Sequence, residues 1–149
     1  MNPPPAVEVR LLGPGDAPVL ERVAEDVFDF AVDARLAREF LADPRHHLAV
    51  ALAEGRVVGI ASAFHYVHPD KPAQLFVNEV GVAPAYRRRG IARALLAQLF
   101  AHAREVGCAE AWVGAEIGNA AARRLYAAAG GTEDPEPFVQ VSFALDRPR

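Results

Sequence analysis

Cysteine and long apolar runs are both scarce in this chain of 149 residues. Its one cysteine, Cys108, has no partner for an internal disulfide, which fits a reducing compartment. No apolar run approaches the roughly 18 residues that a membrane-spanning helix needs. The first five residues, Met-Asn-Pro-Pro-Pro, have neither the basic start nor the apolar stretch of a secretory signal. Together these shortages predict a cytoplasmic protein with no membrane partner.

An excess of basic charge is also missing, since 16 lysines and arginines face 19 aspartates and glutamates, for a net charge of −3. The chain therefore has no strongly basic face for nucleic acid. The charge is uneven, with 7 basic and 12 acidic residues in 1–86 and 9 basic and 7 acidic residues in 87–149. This asymmetry predicts a cationic ligand on the first part and an anionic ligand on the second, although an uneven solvated surface explains it equally well.

The composition is that of an ordinary globular protein, with 52% apolar and 23% charged residues. A chain of 149 residues fits one compact domain, and neither an internal repeat nor an interdomain linker interrupts it. We therefore expect one domain over residues 1–149.

Strand-like and helix-like segments alternate along the chain. Apolar residues recur at helical spacing after Asp16, after Asp33 and along a segment that ends before Gly107, and Glu54-Gly55 joins two strand-like runs as a hairpin turn does. The predicted strands cover residues 7–12, 47–53, 57–66, 75–82, 111–115 and 138–145, and the predicted helices 16–30, 33–41, 88–106 and 119–129. This order predicts an α/β fold of the α+β type, with a mixed, mostly antiparallel, twisted sheet flanked by helices.

The start of the predicted helix 88–106 breaks three local rules at once. Arginines at 87, 88 and 89 lie at the positive end of the helix dipole, and Gly90 costs about 1 kcal/mol relative to alanine. No Ser, Thr, Asp or Asn directly precedes the helix to cap it. A phosphate group resolves all three conflicts, because it accepts the free N–H groups, pairs with arginine and approaches glycine closely. The segment predicts a phosphate site, the alternative being an exposed arginine-rich helix start.

Neither G-x-x-x-x-G-K-[ST] nor G-x-G-x-x-G occurs in the chain. The run Arg87-Arg88-Arg89-Gly90-Ile91-Ala92 instead resembles the acyl-CoA-binding motif Gln/Arg-x-x-Gly-x-Gly/Ala of the GNAT N-acetyltransferase superfamily. Its context is similar too, with Val80-Gly81-Val82 and Pro84 before it, and Asn119, Leu125-Tyr126 and Gly130 after it. The resemblance spans nearly the whole chain and is strongest over 79–131. It implies a single GNAT-like domain that takes acetyl-CoA and uses no metal.

The resemblance also implies roles for individual residues. The N–H groups of Arg88 to Ala92 would hold the pyrophosphate, and the N–H of Val80 or Gly81 would polarise the thioester. Tyr126 matches a tyrosine that protonates the leaving thiolate, unless it only packs in the core. Asn119 would bond the pantetheine or serve only as a helix cap. The expected cofactor-binding residues are Val80, Gly81, Val82, Arg87, Arg88, Arg89, Gly90, Ile91, Ala92 and Asn119.

An acceptor amine must be neutral to attack a thioester. An amine with a pKa near 10.4 costs about 4 kcal/mol to deprotonate at pH 7.4, and a carboxylate can take that proton. Glu79 is the candidate base, since strand alternation points it away from Val80 and similar acetyltransferases have an acidic residue here. The alternative is a purely structural charge.

Within the superfamily the chain most resembles aminoglycoside 3-N-acetyltransferases, in Val57-Val58-Gly59, in the Tyr66–Pro69 loop and in Glu133-Asp134. Those enzymes have aspartate in place of Glu79 and an acidic residue in place of Asn119. Carboxylates along the first helices and before the last strand predict an acidic cleft for a small cationic amine, unless they only face water. These are Glu21, Glu25, Asp26, Asp29, Asp33, Glu133, Asp134 and Glu136.

Other functions stay open at this stage. The acceptor is an aminoglycoside, another small amine or a protein N-terminus. A non-catalytic acyl-CoA sensor is a further alternative, against which the pairing of Glu79 with Tyr126 argues. His65-x-x-His68 has no matching third ligand, so we expect no metal. A homodimer is compatible with the resemblance.

Overall fold

The computed structural model describes residues 5–146, so most of the predicted tail Pro3–Pro5 lies outside the described residues. Five strands form one sheet in the order β1-β2-β3-β4-β5. Neighbouring strands are antiparallel except β4 and β5, which are parallel. This confirms the predicted mixed, mostly antiparallel sheet. The strands are β1 Glu8–Leu11, β2 His46–Ala53, β3 Arg56–Tyr66, β4 Gln74–Val82 and β5 Glu110–Val113.

The helices are α1 Ala34–Ala42, α2 Ile91–Glu105 and α3 Ala120–Ala128, with short 3-10 turns at Ala17–Glu21 and Pro84–Tyr86. Asp33 caps α1 by accepting the N–H of Leu36 at 3.0 Å. Asn119 caps α3 by accepting the N–H of Ala122 at 3.1 Å. None of these helices, over residues 5–146, has the length and apolarity to cross a bilayer.

The hairpin predicted at Glu54-Gly55 is present. Both residues have positive φ, 51° for Glu54 and 75° for Gly55. Two positive φ values in a two-residue loop match the right-handed twist of the flanking strands β2 and β3. The turn thereby sets up the antiparallel pair that forms the middle of the sheet.

The predicted helix over 16–30 is wrong beyond Glu21. The N–H of Ala24 donates to Val57 and the N–H of Val57 donates to Arg22, each at 2.8 Å, so the segment pairs with β3. Asp16 accepts the N–H of Gly13 at 2.8 Å instead of capping a helix. These bonds satisfy the backbone without a helix, and residues 22–33 pass over the sheet as an irregular segment.

Helix α2 covers one face of the sheet. Its buried stripe includes Ile91, Leu95 and Leu99, as the spacing predicts. Gly59 of β3 permits this close packing, because a Cβ there would lie 3.2 Å from the Cγ2 of Ile91. The helix begins at Ile91 rather than at 88, since Gly90 is left-handed with φ 75°.

The predicted last strand, 138–145, is wrong as an element of this chain's own sheet. The segment forms no ladder with β5, and its apolar side chains are exposed. The alternating pattern is there, but a strand also needs a partner edge, which sequence periodicity does not supply.

Three histidines meet between the sheet and α2. Nε2 of His47 lies 2.8 Å from Nδ1 of His65, and the rings of His47 and His102 are 4.7 Å apart. Burial, and then the positive charges that His102 and His65 carry when protonated, lower the pKa of His47 to about 4. Burial also lowers the pKa of His65. The cluster is therefore built around a neutral His47.

We expect the fold to lose stability between about pH 6.5 and pH 4. The unfolded chain protonates His47 near its ordinary pKa of 6.5, whereas the folded chain resists protonation until about 4. At pH 5 this difference removes about 2 kcal/mol, which lowers Tm by roughly 4–8 °C relative to pH 7. Thermal unfolding of His47→Gln should show a flatter pH dependence, whereas His68→Gln should keep the wild-type profile. Parallel profiles for wild type and His47→Gln would contradict this assignment.

Candidate active site

A β-bulge in β4 sets the direction of Glu79. Ser62 of β3 pairs with Glu79 and Ala63 pairs with Val77, so Asn78 is an extra residue in β4. Strict alternation from the buried Val77 would turn Glu79 toward α2. The bulge instead places both Asn78 and Glu79 on the opposite face, where they line a cleft.

This cleft, of about 340 Å³, lies between β4, α1 and the irregular segment before α1. Its wall is largely apolar, with Phe28, Phe30 and Phe40 as aromatic members. Its carboxylates are Glu79 on the strand side and Asp29 and Asp33 on the other. The arrangement provides acidic groups beside an apolar surface, which suits a cationic group attached to an apolar or ring-shaped body.

Gly81 of β4 allows the irregular segment before α1, which forms one wall of the cleft, to pack closely against the strand. A Cβ at Gly81 would overlap the carbonyl oxygen of Val27, so only glycine allows the irregular segment 22–33 to approach β4 this closely. Val27 directly precedes the cleft-lining residues Phe28 and Asp29. Gly81, which the family resemblance assigns to cofactor binding, thus also shapes the cleft.

Strands β4 and β5 pair only over Gln74–Val77 and Glu110–Val113. Beyond that point residues 79–82 of β4 pair with β3 alone, so no strand lies on the outer edge at Val80 and Val82, although the Val82 carbonyl accepts a hydrogen bond from Arg87. An extended polar chain such as pantetheine can hydrogen-bond to such an edge as an added strand does. Glu79 and this edge lie next to each other on the same strand.

The loop between β4 and α2 gives the three arginines different environments. Nε of Arg87 donates to the carbonyl of Val82 at 3.0 Å, and Arg89 lies over the Tyr86 ring at 4.9 Å. Arg88 has a left-handed φ of 62°. Sequence reasoning paired all three with phosphate, whereas Arg87 and Arg89 also hold the loop in place.

The start of α2 fits a pyrophosphate group. The N–H groups of Ile91 and Ala92 belong to the first turn and have no partner within the helix. Gly90 is not capped by a side chain, and a Cβ at this position would have no atom within 4 Å. An open space next to free N–H groups at the positive end of a 15-residue helix suits an anion.

Helix α3 carries Tyr126 and begins after Asn119. Tyr126 is half-buried against the core, and burial raises the pKa of its hydroxyl above the ordinary value. It is therefore protonated at neutral pH, as a proton donor must be. The side-chain oxygen of Asn119 is already used by the helix cap, while its amide N–H₂ is not.

Replacing Tyr126 with phenylalanine should lower kcat by about 10²-fold, with little change in the KM of the thioester donor or of the acceptor amine. A thiol with an ordinary pKa near 8.5 is a tolerable leaving group, so the loss lies toward the low end for a general acid. Steady-state kinetics of the variant, with an unfolding curve as control for the fold, measures this. A wild-type kcat would reduce Tyr126 to a packing role.

Several predicted carboxylates lie outside the cleft. Glu133 forms a two-pronged ion pair with Arg123 of α3, at 2.8 and 2.7 Å, and this contact lowers the pKa of Glu133. Of the eight carboxylates in the predicted acidic walls, Asp29 and Asp33 line the cleft. The acidic character therefore comes from one wall and from Glu79.

Sequence reasoning missed the bulge residue Asn78, the buried Ser62 opposite Glu79, and the aromatic wall. Two adjacent polar residues at 78 and 79, inside an otherwise apolar strand, are the signal that a bulge leaves in sequence. The aromatic wall had no comparable signal, because its phenylalanines come from an irregular segment and from α1.

The histidines and the cysteine take structural positions. Nε2 of His68 lies 2.9 Å from the side-chain oxygen of Gln74, and His65 faces His47. Within residues 5–146 no group of three His, Cys, Asp or Glu side chains has an arrangement that holds a metal ion. Burial raises the pKa of the Cys108 thiol, which makes it a poor nucleophile.

Residues 18–130 match the family model of the acetyltransferase (GNAT) family. An uncharacterized N-acetyltransferase of Mycobacterium bovis is 33% identical over 110 residues, covering 74% of this chain and 67% of that protein. A mycothiol acetyltransferase of Thermobifida fusca is 38% identical over 128 residues, covering 80% of this chain and 38% of that protein. An aminoglycoside acetyltransferase from an uncultured soil metagenomic sample, solved in complex with sisomicin, has a similar fold, with a TM-score of 0.81, 22% identity, and coverage of 94% and 97% of the two chains.

The structural likeness concerns the fold, while the family model and the M. bovis relative concern the sequence itself. Both sequence matches cover most of the chain, and the family match includes the cleft, the bulge and the start of α2. The chain therefore belongs to the GNAT family of acetyltransferases and is an acyltransferase that moves an acetyl group from acetyl-CoA to an amine.

Proposed function

We propose that the chain acetylates a primary amine of a small cationic acceptor in the cytoplasm, with Glu79 as the base and Tyr126 as the acid. The observation that carries this is the bulge at Asn78, which turns Glu79 into the cleft where β4 separates from β5. The acceptor in the cleft and the donor along the open edge would then meet at Glu79 and Val80.

Each residue has a defined task in this proposal. Acetyl-CoA supplies the activated thioester. The Glu79 carboxylate takes the proton from the acceptor ammonium, directly or through a water, and so exposes the nucleophilic lone pair. The N–H of Val80 or Gly81 donates to the thioester carbonyl oxygen while the amine nitrogen bonds to the carbonyl carbon. As the carbon–sulfur bond breaks, Tyr126 gives its proton to the sulfur and takes one back from the newly acylated nitrogen. Val82, Asn119 and the start of α2 hold the donor in line.

An aminoglycoside acetylated at its 3-N position is the acceptor we propose first. Asp29, Asp33 and Glu79 provide three carboxylates for a polyamine, and the sequence resembles 3-N-acetyltransferases. A structural neighbour that binds sisomicin supports the class of acceptor but not the position. NMR of the acetylated product would identify which nitrogen carries the acetyl group.

A second candidate is a monoamine attached to an apolar body, which includes a protein N-terminus with a large apolar side chain. The aromatic wall of Phe28, Phe30 and Phe40 favours it, because three phenylalanines give a sugar ring few hydrogen bonds. This acceptor would need Glu79 but would depend little on Asp29 and Asp33.

The dependence of the acceptor KM on salt concentration distinguishes an aminoglycoside acceptor from an apolar monoamine. For a polycationic aminoglycoside we expect KM to rise several-fold from low to high ionic strength, because salt screens its attraction to the carboxylates. Asp29→Asn should raise the same KM several-fold, whereas Asp70→Asn, in the loop before β4, should not. The measurement is CoA release with sisomicin, a linear polyamine, an arylalkylamine and a short peptide.

Efficient turnover of the arylalkylamine or the peptide, insensitive to salt and to Asp29→Asn, would replace the aminoglycoside by the second candidate. Binding of acetyl-CoA without CoA release for any amine would instead support the sensing alternative.

A further inference from the structure

The floor of the cleft contains a serine hydroxyl that forms no hydrogen bond with residues 5–146. Ser62 of β3 lines the cleft, and its exposed fraction is only 7%. No side-chain hydrogen bond within this part of the chain involves Ser62. Over the same residues, Nε of Arg10 is the one side-chain polar atom that is fully enclosed without a partner. The Ser62 hydroxyl is therefore reached from the cleft and is available to a ligand.

The register of the sheet places this hydroxyl beside the candidate base. Ser62 and Glu79 lie directly opposite each other in the β3–β4 pair and both line the cleft, so their Cβ atoms are about 5 Å apart. The partner of Ser62 on β2 is Leu48, whose side chain offers no hydrogen bond. When an acceptor nitrogen contacts the Glu79 carboxylate, the neighbouring atoms of the acceptor come within reach of Ser62.

An acceptor that fills the cleft removes water from Ser62. The side chains that surround the hydroxyl are largely apolar, with Leu20, Phe40 and Leu48 among them. A buried hydroxyl that is left without a partner is unfavourable, so binding is strongest when the acceptor itself places an oxygen there. Asn78 also lines the cleft, but it is exposed, so water can still satisfy its amide. A site with such a buried group rejects an analogue that lacks the matching oxygen.

We infer that Ser62 selects the acceptor, and that the preferred substrates are primary amines with an oxygen on the carbon next to the one that carries the nitrogen. The Ser62 hydroxyl donates a hydrogen bond to this oxygen while the Glu79 carboxylate holds the ammonium. Amino sugars and peptide N-termini have an oxygen in this position, whereas simple alkylamines and linear polyamines do not. The inference rests on the proposed placement of the acceptor amine at Glu79, and it narrows the class of amines that this site accepts.

Two positional isomers of one amine test the inference. In cis-2-aminocyclohexanol the hydroxyl is next to the carbon that carries the amine, whereas in trans-4-aminocyclohexanol the same hydroxyl lies across the ring. Calorimetric titration into the CoA-bound protein measures the Kd of each isomer, and CoA release from acetyl-CoA measures kcat/KM, corrected for the pKa of each amine. The wild-type protein should prefer the 2-isomer by about 10–10²-fold in both quantities, because the 4-isomer leaves a buried hydroxyl unpaired.

The two serines of the chain provide a variant and its matched control. Ser62→Ala removes the hydrogen-bond donor and should reduce the preference to within about threefold, with the loss falling on the 2-isomer. Ser142→Ala, at an exposed position outside the cleft, should keep the wild-type preference. An unfolding curve for each variant controls for the fold, and the wild-type ratio of the two isomers decides the question even where a variant fails to fold.

Three results would overturn the inference. Equal Kd values for the two isomers in the wild-type protein do so, and so does an absence of measurable binding by either isomer. A loss in Ser62→Ala that is equal for both isomers also does so, because Ser62 would then serve a step common to all acceptors, such as a proton relay. Selective binding of the 2-isomer without CoA release would instead support the inference and contradict the proposed acetyl transfer.

Discussion

Replacing Glu79 with glutamine should lower kcat by about 10³-fold at neutral pH. The variant keeps the size of the side chain but cannot take the proton from an acceptor ammonium, and general base catalysis contributes about 10²–10⁴-fold. The acceptor KM should also rise, because one of the three carboxylates in the cleft is lost. The acetyl-CoA KM should not change.

The pH profile separates a base from a structural charge. As the pH approaches the amine pKa of about 10.4, the acceptor loses its proton to solvent and the need for a base disappears. The deficit of Glu79→Gln should therefore shrink at high pH. A constant deficit, or a wild-type kcat, would contradict the role of Glu79 as the base. Glu54→Gln, in the β2–β3 turn, is a control that should keep full activity.

The second large effect is expected at the other end of the site. Gly90→Asp should raise the KM and the Kd of acetyl-CoA by about 10³-fold without unfolding the chain. Aspartate tolerates the left-handed φ of 75°, and a Cβ there meets no atom within 4 Å. Its charge would face the pyrophosphate, and a like charge about 4 Å away costs about 4 kcal/mol near a protein surface.

Gly107 provides the matched control for Gly90. It follows the opposite end of α2, also has a positive φ, 89°, and a Cβ at this position would likewise meet no atom within 4 Å. Gly107→Asp should therefore share the conformational cost of Gly90→Asp but leave acetyl-CoA binding unchanged. Calorimetric titration of CoA measures both variants. Equal CoA affinity in wild type and Gly90→Asp would exclude the start of α2 as the phosphate site.

The features that were predicted from sequence are those that local chemistry determines. Gly90 breaks the rules for a helix start, and it lies in an uncapped, open position at the start of α2. Asp33 and Asn119 precede helical periodicity, and each caps its helix. The hairpin at Glu54-Gly55 follows from the residues that tolerate positive φ. In each case a few neighbouring residues carry the whole signal.

The features that were not predicted depend on partners far away in sequence. The segment after Glu21 has helical spacing, yet its backbone bonds to Val57 of β3. Glu133 looks like part of an acidic wall until Arg123 is found beside it. The segment 138–145 has strand periodicity but pairs with no strand among residues 5–146. Sequence spacing identifies what each segment can do, and tertiary contacts decide which of these states forms.

The most direct measurement follows a labelled acetyl group from acetyl-CoA into the acceptor. With wild-type protein, the label should appear on one amine of the acceptor with one CoA released for each acetyl transferred. Glu79→Gln should slow this transfer at saturating acetyl-CoA, whereas Gly90→Asp should approach the wild-type rate once acetyl-CoA is saturating. Label that stays on acetyl-CoA with every amine tested, although calorimetry shows that acetyl-CoA binds, would contradict acetyl transfer at this site.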